Sequence, residues 1–194
     1  MAGQQFRLLR RRRFGPFFAT QALGAFNDNV FKNALVILVA FQLPGLSGAQ
    51  VDFYSNLAAG LFILPFFLFS ALAGQWAERQ EKAGAIRRIK LLEIAIMAAA
   101  ALALWLKSLP LLLAVLFLTG VQSALFGPLK YSILPQALRP RELVGGNALV
   151  EAGTFLAILL GTMLGGWLMN VPGHGPLLTG VAVLGLAVLG WAAS

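Results

Sequence analysis

Gly24-Ala-Phe-Asn-Asp-Asn-Val-Phe-Lys-Asn33 carries two charges and three side-chain amides in the middle of an otherwise apolar run from Phe14 to Leu43. A run of that length exceeds the roughly 20 residues that a bilayer core requires. Charges within such a segment are costly wherever they touch hydrocarbon. At helical periodicity Gln21, Ala25, Asp28 and Lys32 share one face, with Asn29 beside them. The stripe must therefore line a water-filled cavity or meet other helices. An Asp28–Lys32 pair at i,i+4 is the structural alternative, in which the two charges neutralise one another and merely pack. That pair leaves Gln21 and Asn29 unexplained.

The rest of the chain supplies the neighbours. Of its 194 residues 59% are hydrophobic and 11% charged, with mean hydropathy +0.80. A soluble domain is usually about a quarter charged, so the apolar residues here must face lipid. Six spans are expected, at 14–43, 53–76, 90–106, 109–134, 143–170 and 176–193, behind a basic segment 1–13. Turn-rich breaks separate them, such as Leu43-Pro-Gly-Leu-Ser-Gly48 and Val171-Pro-Gly-His-Gly-Pro176. The expected fold class is an all-α membrane protein.

Charge placement orients the chain. Arg7 and Arg10–Arg13 precede the first span; Arg79, Lys82, Arg87, Arg88 and Lys90 fall between the second and third; Arg139 and Arg141 fall between the fourth and fifth. Lys107 alone lies on the opposite side. Basic loops stay cytoplasmic, so both ends of the chain are expected inside. All four Trp and both Tyr lie at or near span ends, as an interfacial aromatic belt requires. The net charge of +8 thus reflects topology, not nucleic acid. Arg11-Arg12-x-Phe14 resembles part of a twin-arginine signal, but the apolar run behind it is too long and five more spans follow. Contact with anionic lipid is a secondary reading of these arginines.

Further polar residues interrupt later spans. The fourth contains Gln122 and Ser123, then Gly127-Pro128, a step that breaks the helical ladder and marks backbone lining a cavity, then Lys130, which can contact substrate or snorkel to the headgroups. In the fifth, Asn147, Glu151, Thr154, Ile158 and Gly165 share a face; Glu151 is read as a partner of Lys130 or, more simply, as a structural acid near the inner surface. Gly161, Gly165 and Gly166 suit close helix packing. The two spans with polar centres open the two groups of three, the positional correspondence of a 3+3 inverted repeat with a binding site between its halves.

With no cysteine, disulfides, thiolate metal sites and cysteine nucleophiles are excluded. The single histidine, His174, sits in a turn without the acid spacing of a catalytic or zinc motif, and no phosphate-cradling glycine loop occurs. No enzyme, cofactor or metal is expected.

The motifs resemble the major facilitator superfamily. Gly74-Gln-Trp-Ala-Glu78-Arg79 followed by Lys82 is similar to its conformational motif between the second and third spans, with Glu78 for the commoner aspartate. Gly161-Thr-Met-Leu-Gly165-Gly166 is similar to its fifth-span glycine motif, with Thr162 where proline is usual. Within the superfamily, Gly24–Val36, Ser123–Leu134, Gly146–Glu151 and the stretch from Thr154 onward resemble the bacterial lysophospholipid transporters. That resemblance implies the N-terminal half of a major facilitator fold in the bacterial inner membrane, moving lysophospholipid by alternating access. It also implies an acyltransferase–acyl carrier protein synthetase as a partner that re-acylates the cargo. Asp28 and Lys130 become headgroup-contact or gating residues. Members have twelve spans, so a fragment is expected here, or a pair of copies supplying the second half. Two competing readings are a proton-coupled exporter of small amphiphiles using Asp28 or Glu151, and a docking module for a phospholipid acyltransferase that transports nothing.

Overall fold

The computed structural model describes residues 5–194. Residues 1–4 of the basic N-terminal segment lie outside the described residues. Among the described residues there are helices and turns but no strand. A short 3-10 helix (Gln5–Arg10) leads into α1 (Gly15–Phe41), α2 (Gly48–Arg79), α3 (Lys82–Leu106), α4 (Leu109–Ala137), α5 (Leu143–Met169) and α6 (Gly175–Ala192), with a second 3-10 turn at Pro140–Glu142.

Capping sets several boundaries. Ser47 and Gln50 form a reciprocal capping box at the start of α2, the Ser47 hydroxyl accepting from the Gln50 N–H. Glu81 caps α3 by accepting from the N–H groups of Ala83 and Gly84. This cap starts α3 at Lys82, eight residues before the span expected at 90–106. Lys82 in turn donates to the carbonyls of Ala77, Glu78 and Gln80, closing the C-terminus of α2. Helix α4 runs through Gly127-Pro128 to Ala137, although Pro128 offers no N–H to the preceding turn, and Gly127 lines an interior cavity.

Five of the six α-helices are long and apolar enough to cross a membrane. The exception is α1, whose 27 residues would suffice in length. Its amides and charges lower the mean hydropathy. The outer faces carry exposed Phe53, Phe67, Leu72, Phe155, Trp167 and Val181. In lipid no hydrophobic force drives helices together, so they associate through close packing and hydrogen bonds. Both appear here. At the crossing of α1 and α5, a Cβ on Gly161 would stand 2.5 Å from the Phe26 carbonyl oxygen, and one on Gly165 would collide with that of Val30. Asn33 of α1 and Gln42, the residue that caps its C-terminus, donate to the Thr162 and Met169 carbonyls at 2.7 Å. Gly120 plays the matching part between α4 and α2, against the Phe62 carbonyl.

Two apolar clusters form the interior. One is built from Val30–Val39, Ile96–Leu104, Leu112–Leu116 and α6; the other from Phe14, Phe17, Ile86, Ile89, Leu129, Leu134 and Val150. Between them lies a layer of buried polar side chains from α1, α3 and α4, which includes Gln21, Asn27, Asp28, Lys90, Glu93 and Gln122.

Candidate functional site

The polar layer opens into a cavity of about 320 Å³ lined by α1, α2, α3, α4 and α5. Gln21, Asp28 and Asn29 of α1 and Gln122 of α4 all line it. Asp28 is buried, and its Oδ2 accepts from the Ser123 hydroxyl at 2.6 Å. The i,i+4 alternative is not realised: Lys32 makes no ion pair with Asp28 and instead sits over the Phe62 ring, 5.2 Å from its centroid, outside the cavity lining. The second carboxylate oxygen, Oδ1, has no partner among the described residues. A buried acceptor left open in this way is an expensive feature unless a ligand or water fills it.

Asn29 satisfies itself locally by donating to the Ala25 carbonyl at 2.8 Å. Opposite, Phe62 and Phe66 of α2 form an apolar wall, with ring centroids 6.2 Å apart. Phe67, a quarter-turn away, is 81% exposed and faces outward. The phenylalanines of the second span therefore divide between cavity and periphery.

Lys90 is placed where hydropathy did not put it. Expected among the cytoplasmic loop charges, it is 1% exposed, within α3, and paired with the equally buried Glu93. Asn27 donates to Glu93 Oε1 at 3.2 Å and Gln122 donates to Oε2 at 3.2 Å. Arg87 and Arg88, three and two residues before it, disguise Lys90 as part of a basic loop. The spacing to Glu93, one helical turn on, is the signal that marks it as an internal pair.

A second polar group, from α4 and α5, also lines the cavity. Lys130 is held by Glu151 at 3.2 Å and by the Thr154 hydroxyl at 3.1 Å, with the Tyr131 ring beneath it. Glu151 is therefore the partner of Lys130 and also accepts from the Tyr131 hydroxyl at 2.9 Å, which displaces its reading as a lone structural acid. Thr154 has two acceptors for its proton, the Val150 carbonyl at 2.8 Å and Gln21 Oε1 at 3.0 Å. Of the predicted fifth-helix face, Thr154 and Ile158 line the cavity, Gly165 packs on α1, and Asn147 is exposed outside it.

The remaining sequence motifs lie elsewhere. Glu78 and Arg79 are exposed and have no ion pair among the described residues, while Gly74 has open space around its Cα. Gly166 faces the Asn33 amide. His174 sits in the turn before α6, 3.2 Å from the Pro172 carbonyl. Arg11 and Arg13 both reach Glu142, pinning the N-terminal segment to the entry of α5.

A helical membrane protein whose polar residues converge on an interior cavity has the form of a small-molecule carrier. The family model of the Major Facilitator Superfamily matches residues 17–193, and the chain belongs to that superfamily of membrane transporters. Among characterised proteins it is similar to the lysophospholipid transporter LplT of Serratia proteamaculans, at 30% identity over 150 residues covering 77% of this chain and 35% of that protein. It is 31% identical over 151 residues to LplT of Photorhabdus laumondii, and 29% identical over 150 residues to that of Yersinia enterocolitica. The alignments cover 78% and 77% of this chain and 35% and 34% of those proteins. The chain thus spans about a third of the length of the curated relatives it matches. No solved structure matches it significantly.

Proposed function

We propose that these residues form the first half of a carrier that moves lysophospholipid across the bacterial inner membrane by alternating access. In this reading α1 is the sixth span, crossing with its polar face turned inward and its flanks covered by α5 and α6. The ends of the six-helix unit are cytoplasmic, in keeping with the basic residues at 7–13, 79–88 and 139–141. Helix packing supports a 3+3 inverted repeat. Exchanging α1 with α4, α2 with α5 and α3 with α6 leaves the main contacts, α1 on α5, α2 on α4 and α3 on α6, unchanged. A second six-helix half, or a second copy, closes the cavity from the other side, and the re-acylating enzyme takes the delivered lipid from the inner leaflet.

The observation that carries this reading is the cavity itself. It joins a buried acid with an open oxygen to a wall of phenylalanine. A lysophospholipid has the same division, a polar headgroup carrying hydrogen-bond donors and one acyl chain. Asp28 Oδ1 accepts from the headgroup, Lys130 gates the cytoplasmic end through Glu151, and Phe62 and Phe66 lead the chain toward lipid. The names of the relatives agree with this substrate class.

The test is uptake of labelled lysophospholipid into proteoliposomes that carry the full-length protein. Asp28→Asn, which keeps size but loses the charge, is expected to abolish transport. A wild-type rate in that variant discards the assignment. Uptake driven by a pH gradient, with no competition from lysophospholipid, favours an exporter of other amphiphiles instead.

A further inference from the structure

Lys90 has no part in the carrier reading so far, yet its surroundings suit it to one. The Glu93 carboxylate is well satisfied, receiving Lys90, Asn27 and Gln122. The Lys90 ammonium is not. Among the described residues its one acceptor is Glu93, so two of its three N–H bonds have no partner, and the almost wholly buried side chain borders the cavity. Burying charged donors without acceptors is costly, and a membrane-embedded position raises that cost. Lys130, by comparison, is already engaged by Glu151 and Thr154.

The open donors are also fixed in place. Lys90 fits into a recess made by two glycines on different helices. A Cβ at Gly190 of α6 would stand 2.9 Å from its Cε and Nζ, and one at Gly24 of α1 would stand 3.2 Å from Nζ. The ammonium is thus held by backbone geometry on two sides and by Glu93 on a third, so little side-chain entropy remains to be lost when a ligand binds. Besides the Thr20 hydroxyl, the cavity's unspent polar capacity includes two N–H bonds on Lys90 and one oxygen on Asp28. An anionic phosphate attached to a group with its own hydrogen-bond donor complements both.

We infer that Lys90 is the phosphate-holding residue of the cavity. Its two open N–H bonds take the phosphodiester oxygens of the lysophospholipid headgroup, and Glu93, Asn27 and Gln122 keep the ammonium aimed at them. This rests on the proposed substrate class and assigns within it a contact that lies on α3.

The experiment uses the full-length protein in proteoliposomes with labelled 1-acyl-lysophosphatidylglycerol. If wild-type protein moves no lysophospholipid, the carrier reading fails before Lys90 is in question. Given wild-type transport, Lys90→Met combined with Glu93→Gln removes both charges together and leaves no unpaired ion, so a purely structural pair tolerates it. A phosphate-holding Lys90 does not. The half-saturation concentration is then expected to rise about tenfold or more, the scale of one lost charge-assisted hydrogen bond. Glu93→Gln alone is a second test with the opposite sign. It keeps an acceptor for Lys90 but relieves the ammonium of its counter-charge, and the half-saturation concentration is expected to fall. Wild-type half-saturation in the double variant, or an unchanged or raised value in Glu93→Gln, overturns the inference.

Discussion

The crossing of α1 and α5 fixes the helix that carries Asp28, and one methyl group is enough to test it. Gly161→Ala places a Cβ 2.5 Å from the Phe26 carbonyl oxygen and 3.2 Å from the Asn29 Cβ. A carbon and a carbonyl oxygen normally rest no closer than roughly 3.3 Å, so the two helices must part locally by about 0.8 Å. The obstructing atom belongs to the backbone, so no rotamer change can relieve it. A gap of that size forfeits about a quarter to a half of each affected van der Waals contact. It also stretches the 2.7 Å bond from Asn33 to the Thr162 carbonyl. Overpacking of this kind costs about 1–3 kcal/mol, against a gain of up to about 1 kcal/mol from replacing a helical glycine. The net expectation is a loss of about 1–2 kcal/mol, since the clash outweighs the propensity gain. Gly185→Ala on α6 is the matched control, because a Cβ there meets nothing within 4 Å; it should be neutral or slightly stabilising. Unfolding midpoints of the purified protein in detergent, compared across wild type and both variants, read the difference. A Gly161→Ala protein as stable as Gly185→Ala would falsify the close crossing.

Two further expectations follow from the same geometry. These 194 residues contain no cysteine, so in a background free of other cysteines Asp28→Cys provides a single reactive thiol, and a water-soluble thiol reagent should label it; Ala34→Cys, six residues further along α1 in the fully buried apolar cluster, should stay unlabelled. Failure to reach position 28 from either side of the membrane removes the wet cavity and the carrier reading with it. The second expectation concerns acid. The N–H groups of Gly84 and then Ala83 hold the Glu81 carboxyl below its ordinary range. A depressed carboxylate contributes stability above its unfolded-state value and loses it as pH falls through the lower, folded-state value. Glu81→Gln should therefore flatten the acid limb of the unfolding midpoint, measured from neutral pH down through the carboxylate range, while an identical limb excludes Glu81 as a contributor.

Much of the site was readable because α1 states it locally. Gln21, Asp28 and Asn29 share a helical face, and a polar face in an apolar helix has nowhere to go but inward. Phe62 and Phe66 could not be told from Phe67 in the sequence, since lipid and a lipid-binding wall demand the same side chain. Lys90 was misread for a related reason. Its neighbours Arg87 and Arg88 are exposed, and hydropathy averages over a window in which one inward-facing lysine looks like the end of a basic loop. Glu151 was ambiguous because its meaning depends on Lys130, which stands on a different helix.

The order of apolar segments, the basic asymmetry of the loops and the inward face of α1 are properties of consecutive residues, and the sequence determined them unaided. Which polar groups meet is another matter. Ser123 finds Asp28 across 95 positions, Gln122 finds Glu93 across 29, and Thr154 finds Gln21 across 133. The last of these, between α5 and α1, exists because glycines at 161 and 165 let those two helices touch backbone to backbone. Hydropathy adds up along the chain, but partnership in a low-dielectric interior is set by distance in space, so only the tertiary structure decided it.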